Sequence, residues 1–302
     1  MKTDKRQRGN TAGLWFFKMT VHLFGVFIAY GFLYFVCLYY LIFDQPAVCS
    51  AMPYIKRRFA GSNFFVSYWR IYRLFLNQGR QLIDKYALIS GAKKYNFKVY
   101  GAEEIQSLLA DGRGMILLTA HLGNWQAAIS TLDSLGRPVY LVMKPEDNRA
   151  VKDYLKINEQ WKNVQIISQE QYLGGVIEIM AVLKNGGIVS IMGDRRYGSK
   201  TTEIDFMGGK AMFPCGAFTI AFAAQCPMSV LLTVKTARQT YSVNLKNIIY
   251  PYLETGENKP EKIKNSMRKF GKILEQFIAE YPYQCYLFTD LWNPEPREEQ
   301  IE

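Results

Sequence analysis

From residue 96 onward the chain alternates short apolar runs with longer amphipathic stretches, and few folds accommodate that rhythm. The short runs read as strands at 97–100, 115–120, 139–143, 164–167, 188–192, 230–234 and 241–245. Helical periodicity places helices at 102–109, 126–135, 150–161, 174–185, 217–225 and 261–280. Such alternation implies an α/β fold, a mostly parallel central sheet with helices on both faces. No internal repeat or low-complexity linker interrupts it, so 96–295 reads as one domain, followed by an acidic tail at 296–302.

Ahead of that domain, residues 19–43 read "MTVHLFGVFIAYGFLYFVCLYYLIF", without an Asp, Glu, Lys or Arg. A helix of that length crosses a hydrocarbon core. No small-residue cleavage site follows, so residues 1–50 read as a basic tail and a retained hydrophobic membrane anchor, not a removed signal peptide. Lys2, Lys5, Arg6, Arg8 and Lys18 precede the apolar run, and Lys56, Arg57 and Arg58 follow it, so the positive-inside rule gives no clean orientation. A segment with Gly25 and Gly31 that enters the membrane and stays on one face satisfies both flanks.

The net charge of +11 asks for an anionic partner, and its location narrows the choice. Between positions 51 and 100 there are ten Lys or Arg residues against one acid, Asp84, interleaved with "FFVSYWRIYRLFL". Basic and aromatic residues at helical spacing suit a helix at an anionic membrane surface, where arginine stems snorkel. A helix packed on the domain with a solvated basic face has the same composition. No nucleic-acid module accompanies region 51–95, so nucleic acid is not an expected partner. The five cysteines, Cys37, Cys49, Cys215, Cys226 and Cys285, lack any C-x-x-C spacing. Neither a disulfide framework nor a metal site is indicated, and a reducing cytoplasmic environment fits.

The chain has two histidines, and His22 lies in the anchor. His121 ends an apolar run in "LLTAHLGNWQAA", at the kind of strand end where α/β sheets gather ligands. Gly123 permits a tight turn and Asn124 is a good helix cap. Residues five apart do not share a helical face, so His121 and Gln126 meet only if the chain bends between them. A histidine at a strand end serves structure or catalysis, and local features leave both open. A second run ends in "SIMGDRRYG", delivering Asp194, Arg195 and Arg196 to the same edge. Two arginines there hold an anion through forked hydrogen bonds, or one of them pairs with Asp194 to close a loop. A serine hydrolase is excluded by the absence of a G-x-S-x-G elbow.

Together these pieces resemble the glycerolipid-type acyltransferase superfamily, and within it the bacterial lipid A biosynthesis (late) acyltransferases. "AHLGNWQ" is similar to that family's H-x-x-x-x-D/E motif, "MGDRRYG" to its aspartate-bearing turn, and "DFMGGKAMFPCGAF" to its F-F-G and G-P segment. "AAQCPMSVLLT" resembles its Gly-x-Pro strand entry, and "YPYQCYLFTDLW" a recurring tail. The resemblance implies a membrane-bound acyltransferase on the cytoplasmic face of the bacterial inner membrane. It would move a fatty acyl chain from an acyl carrier protein or CoA thioester, its co-substrate, to a hydroxyl or amine of a lipid or glycolipid acceptor, with no cofactor. By that resemblance His121 is the general base, oriented by the residue at 126 and aided by Asp194; Asn124, Arg195 and Arg196 meet substrate, and amides after Gly123 stabilise the oxyanion. Position 126 departs from the family, since it is Gln where most members carry an acid. A glutamine carbonyl orients a ring but brings no charge, which leaves a catalytically silent lipid-binding relative as the rival reading.

Overall fold

The computed structural model describes residues 11–132, 135–143, 164–168, 175–194, 200–252, 256 and 258–293. Among these residues, nine strands form a seven-stranded sheet and a separate hairpin. The strands are β1 (Asn96–Tyr100), β2 (Met115–Thr119), β3 (Val139–Met143), β4 (Val164–Ser168), β5 (Ile188–Met192), β6 (Thr201–Phe206), β7 (Gly209–Pro214), β8 (Met228–Ala237) and β9 (Thr240–Ile249). The main sheet runs β1-β9-β8-β2-β5-β3-β4. All its neighbours pair in parallel except β8 and β9, an antiparallel hairpin. The mostly parallel α/β architecture expected from the alternation is therefore present.

Position in the sheet explains the strand sequences. Central β2, "MILLT", is buried at every residue, as a strand covered on both faces must be. Ile116 and Leu118 join one core, whereas Met115 and Leu117 join the other, the period-two division of a pleated strand. Edge strand β1 never buries a residue fully. Helices α5 (Ala102–Ala110) and α6 (Trp125–Leu132) cover one face through Ile105, Leu109, Ala128 and Leu132. The larger core holds α7 (Val176–Lys184), α8 (Gly216–Ala224) and α9 (Lys259–Glu280), together with the N-terminal helices. Each fully buried Leu, Ile or Phe contributes about 1.5–3 kcal/mol by leaving water.

The N-terminal apolar run is not one helix. It divides into α1 (Thr11–Phe24) and α2 (Val26–Phe43) at Gly25, whose φ of +81° lies outside helical geometry. Only α2 among the described residues is long and apolar enough to cross a membrane. Val26, Ala29, Leu33 and Cys37 form its buried stripe, while Ile28, Phe35 and Phe43 are exposed.

The basic region folds as α3 (Gln45–Arg58) and α4 (Phe64–Ile89). Several of its cations rest against other parts of the chain. Arg58 donates to the carbonyls of Ile278 and Ala279 at the end of α9, and Arg57, Arg70 and Arg73 lie over the rings of Trp292, Phe59 and Tyr283. The apolar side chains Phe64, Phe65 and Trp69 are exposed instead. Asp84, the one acid of that stretch, is buried on α4, where Lys235 Nζ of β8 donates to it at 2.5 Å and the hydroxyls of Tyr30, Tyr95 and Tyr241 also donate. Burial pulls the Lys235 ammonium below its ordinary pKa, against the Asp84 carboxylate, which favours the charged form. This cluster ties α2 and α4 to the sheet.

Two further differences from the sequence reading concern strands. The segment 201–214, which lies outside the strands read from the sequence, is a hairpin closed by a turn at Met207 and Gly208, both at positive φ. Strands β8 and β9 are also longer than their central apolar residues suggested, because the hairpin partner supplies hydrogen bonds to polar positions as well. The helix expected at 150–161 and the first residue of that expected at 174–185 lie outside the described residues, as do the last residues of the helix expected to reach 135, apart from Leu135 itself.

Candidate active site

The geometry of the site begins with strand register. Strands β2 and β5 are parallel neighbours with Thr119 opposite Met192, so residues two further along each chain, His121 and Asp194, emerge side by side. The N–H of Gly193 donates to the Thr119 carbonyl at 2.9 Å and carries the pairing past the strand ends. A Cβ at Gly193 would meet the side-chain ends of Leu118 and Phe270 at about 3 Å, so any larger residue there displaces core side chains.

Asp194 grips His121 twice. The backbone N–H of His121 donates to Oδ2 at 2.6 Å, and ring Nδ1 lies 3.0 Å from Oδ1 and 3.1 Å from Oδ2. The carboxylate is almost wholly buried, at 1% side-chain exposure, while the imidazole keeps 18%. An ionised carboxylate only accepts, so the proton of the neutral ring resides on Nδ1. Nε2 then carries the free lone pair, and among the described residues nothing is bonded to it.

The turn after His121 is clamped by the C-terminal tail and by β8. Tyr286 N–H donates to the His121 carbonyl at 2.8 Å, Gly123 N–H to Gln284 at 2.7 Å, and Asn124 N–H to Thr233 at 2.9 Å. Gly123 sits at φ +57°, and a Cβ there would fall 1.4 Å from the Thr233 oxygen. No other residue fits. Asn124 is buried; its Oδ1 accepts from Ala127 N–H at 3.2 Å, capping α6, and its Nδ2 donates to the Tyr241 hydroxyl at 3.5 Å. Its side chain is thus engaged inside the protein, at the edge of the Asp84 cluster.

The bend between His121 and α6 does not bring Gln126 to the imidazole. Gln126 lies half-buried in the first turn of α6, and the bonds to Nδ1 come from Asp194. A sheet neighbour reaches the ring where a residue five positions later does not, because β2 and β5 are held in register. Arg195 and Arg196 lie outside the described residues. Of the amides after Gly123, those of Gly123, Asn124 and Ala127 are spent within the protein, which leaves the N–H groups of Trp125 and Gln126 at the start of α6 without a partner among the described residues. Gln284 and Tyr286 were not among the residues singled out; the recurring tail around them was the only signal, since a backbone clamp has no sequence periodicity.

A parallel sheet that presents a histidine held by a buried carboxylate, its outer nitrogen free, defines an α/β protein equipped for general-base chemistry. The family model for bacterial lipid A biosynthesis acyltransferases matches residues 88–293, and the chain belongs to that family. The match runs from the last turn of α4 to the end of the tail that clamps His121. The family is one of acyltransferases that act on lipid. A comparison with curated proteins returned no match.

Proposed function

We propose that this chain transfers a fatty acyl group from the thioester of an acyl carrier protein or CoA to a hydroxyl or amine of a lipid or glycolipid acceptor. The free Nε2 of His121, with Nδ1 held by Asp194, is the observation that carries the reading. Nε2 takes the proton of the acceptor O–H or N–H as the oxygen or nitrogen attacks the thioester carbonyl. The buried Asp194 carboxylate stabilises the imidazolium that forms. The tetrahedral oxyanion lies against the N–H groups of Trp125 and Gln126 and the positive end of α6. Collapse of the intermediate breaks the carbon–sulfur bond, and the imidazolium returns its proton to the departing thiolate. Arg195 and Arg196, which directly follow Asp194 in sequence, bind an anionic group of donor or acceptor.

The working location is the cytoplasmic face of the bacterial inner membrane, with α2 as the anchor and the exposed Phe64, Phe65 and Trp69 of α4 at the anionic lipid interface. His121→Ala tests the chemistry, with the purified full chain assayed in detergent for thioester consumption and acylated lipid by mass spectrometry. General-base loss costs about 10²-fold or more. A variant that turns over at near wild-type rate would refute the assignment.

A further inference from the structure

A cavity of about 330 Å³, near the lower end of the range of small-ligand pockets, opens between α2, α4 and the β8–β9 hairpin. Neither His121 nor Asp194 lines it, although two lining residues, Gln284 and Tyr286, also clamp the turn after His121 through their backbone. Three cations line it, Arg80, Lys235 and Arg238. The carboxylate beside them, Asp84, is taken by Lys235 and three tyrosine hydroxyls. Arg80 donates to the Tyr34 hydroxyl and Arg238 stacks on Phe27, but neither has a carboxylate partner among the described residues. The cavity wall therefore carries an excess of positive charge.

Two hydrogen-bond donors on the same wall are also unclaimed. The Tyr286 hydroxyl and the Gln81 Nε2 are buried without a partner among the described residues, and both residues line the cavity. Tyr286 as a whole is 7% exposed. Burial holds its phenol well above the ordinary pKa, so the group is an O–H donor. Buried polar groups in native proteins are almost always satisfied, so two orphans on residues that line one cationic cavity point to a ligand rich in acceptors.

We propose that this cavity binds the phosphate of a membrane phospholipid headgroup, held by Arg80, Arg238, Gln81 and Tyr286. Phosphate presents several acceptor oxygens to planar guanidinium groups, which matches this donor set. The lipid source follows from the wall contributed by Phe27 and Tyr30, which belong to α2, the apolar helix. Phe24 and Ile28 beside them are exposed and give the acyl chains an apolar path away from the headgroup. The site does not depend on the transferase reading.

The test is phospholipid binding by the full-length protein in neutral detergent micelles, followed by native mass spectrometry. The probes are dioleoylphosphatidylglycerol, dioleoylglycerol with the same chains but no phosphate, and inorganic phosphate. The phospholipid is expected to bind and the diacylglycerol not to. Arg80→Gln combined with Arg238→Gln should weaken binding by about tenfold or more, the loss expected when charged hydrogen bonds are removed. Tyr286→Phe removes only an unclaimed hydroxyl, so it should weaken phospholipid binding while leaving the melting temperature of the lipid-free protein unchanged or higher. A merely structural hydroxyl would lower it. Unchanged affinity in Tyr286→Phe and in the double variant would overturn the site. Full displacement of the lipid by an equal concentration of inorganic phosphate would overturn the lipid as its source.

Discussion

Asp194→Asn should abolish nearly all acyl transfer, and the reason lies in the two bonds that Asp194 makes to His121. In the wild type both donors, the backbone N–H and the ring Nδ1–H, find a carboxylate oxygen. Asparagine offers one oxygen and one NH₂. The backbone N–H is a fixed donor at 2.6 Å, so the amide oxygen must turn to it, and the NH₂ then faces Nδ1. Nδ1 becomes an acceptor and the proton moves to Nε2, the nitrogen that has to be free. The same amide substitution in the serine-protease triad costs about 10⁴-fold. That corresponds to about 5.5 kcal/mol of activation free energy. Here the expected loss in kcat is about 10³- to 10⁴-fold, since the charge and the tautomer are lost together. Asp194→Ala lets the ring take either tautomer and should lose less than Asn, an inverted order for the milder-looking change. Single-turnover transfer from an acyl thioester to extracted bacterial lipid, with thermal melts to confirm folding, measures both. Asp194→Asn retaining more than about a tenth of wild-type activity would refute the reasoning.

Three other expectations follow from the geometry. Gln126→Ala should lower activity by less than about tenfold, and Gln126→Glu should raise it by less than that, because Asp194 already orients and charges the ring; steady-state kinetics of both variants check this. Asp84→Ala should destabilise the protein by about 3–5 kcal/mol, read from denaturant or thermal unfolding, since it leaves the buried Lys235 ammonium and three tyrosine hydroxyls without their acceptor. Alkylation at pH 8 under native conditions should label Cys49, which is exposed, and spare Cys226, whose thiol burial pushes up to about 12; peptide mapping reads the difference, and labelling of Cys226 at the rate of Cys49 would contradict the burial.

The α/β class, most of the main-sheet strands and the two strand ends that carry His121 and Asp194 are legible in the sequence, because apolar periodicity is a local property that each segment displays alone. The break at Gly25 was written there as a glycine, but an uncharged run has the same composition whether it forms one helix or two. What the sequence did not contain is pairing. Gln126 is near His121 along the chain, yet Asp194, seventy-three residues away, holds the ring, because β2 and β5 lie in parallel register. The bond of Arg58 to the end of α9 and the burial of Asp84 beside Lys235 depend in the same way on segments far apart in sequence. Residue types and local periods set which groups reach the sheet edge. Only the order and register of the strands, which the packing of the whole core selects, decided which of them touch.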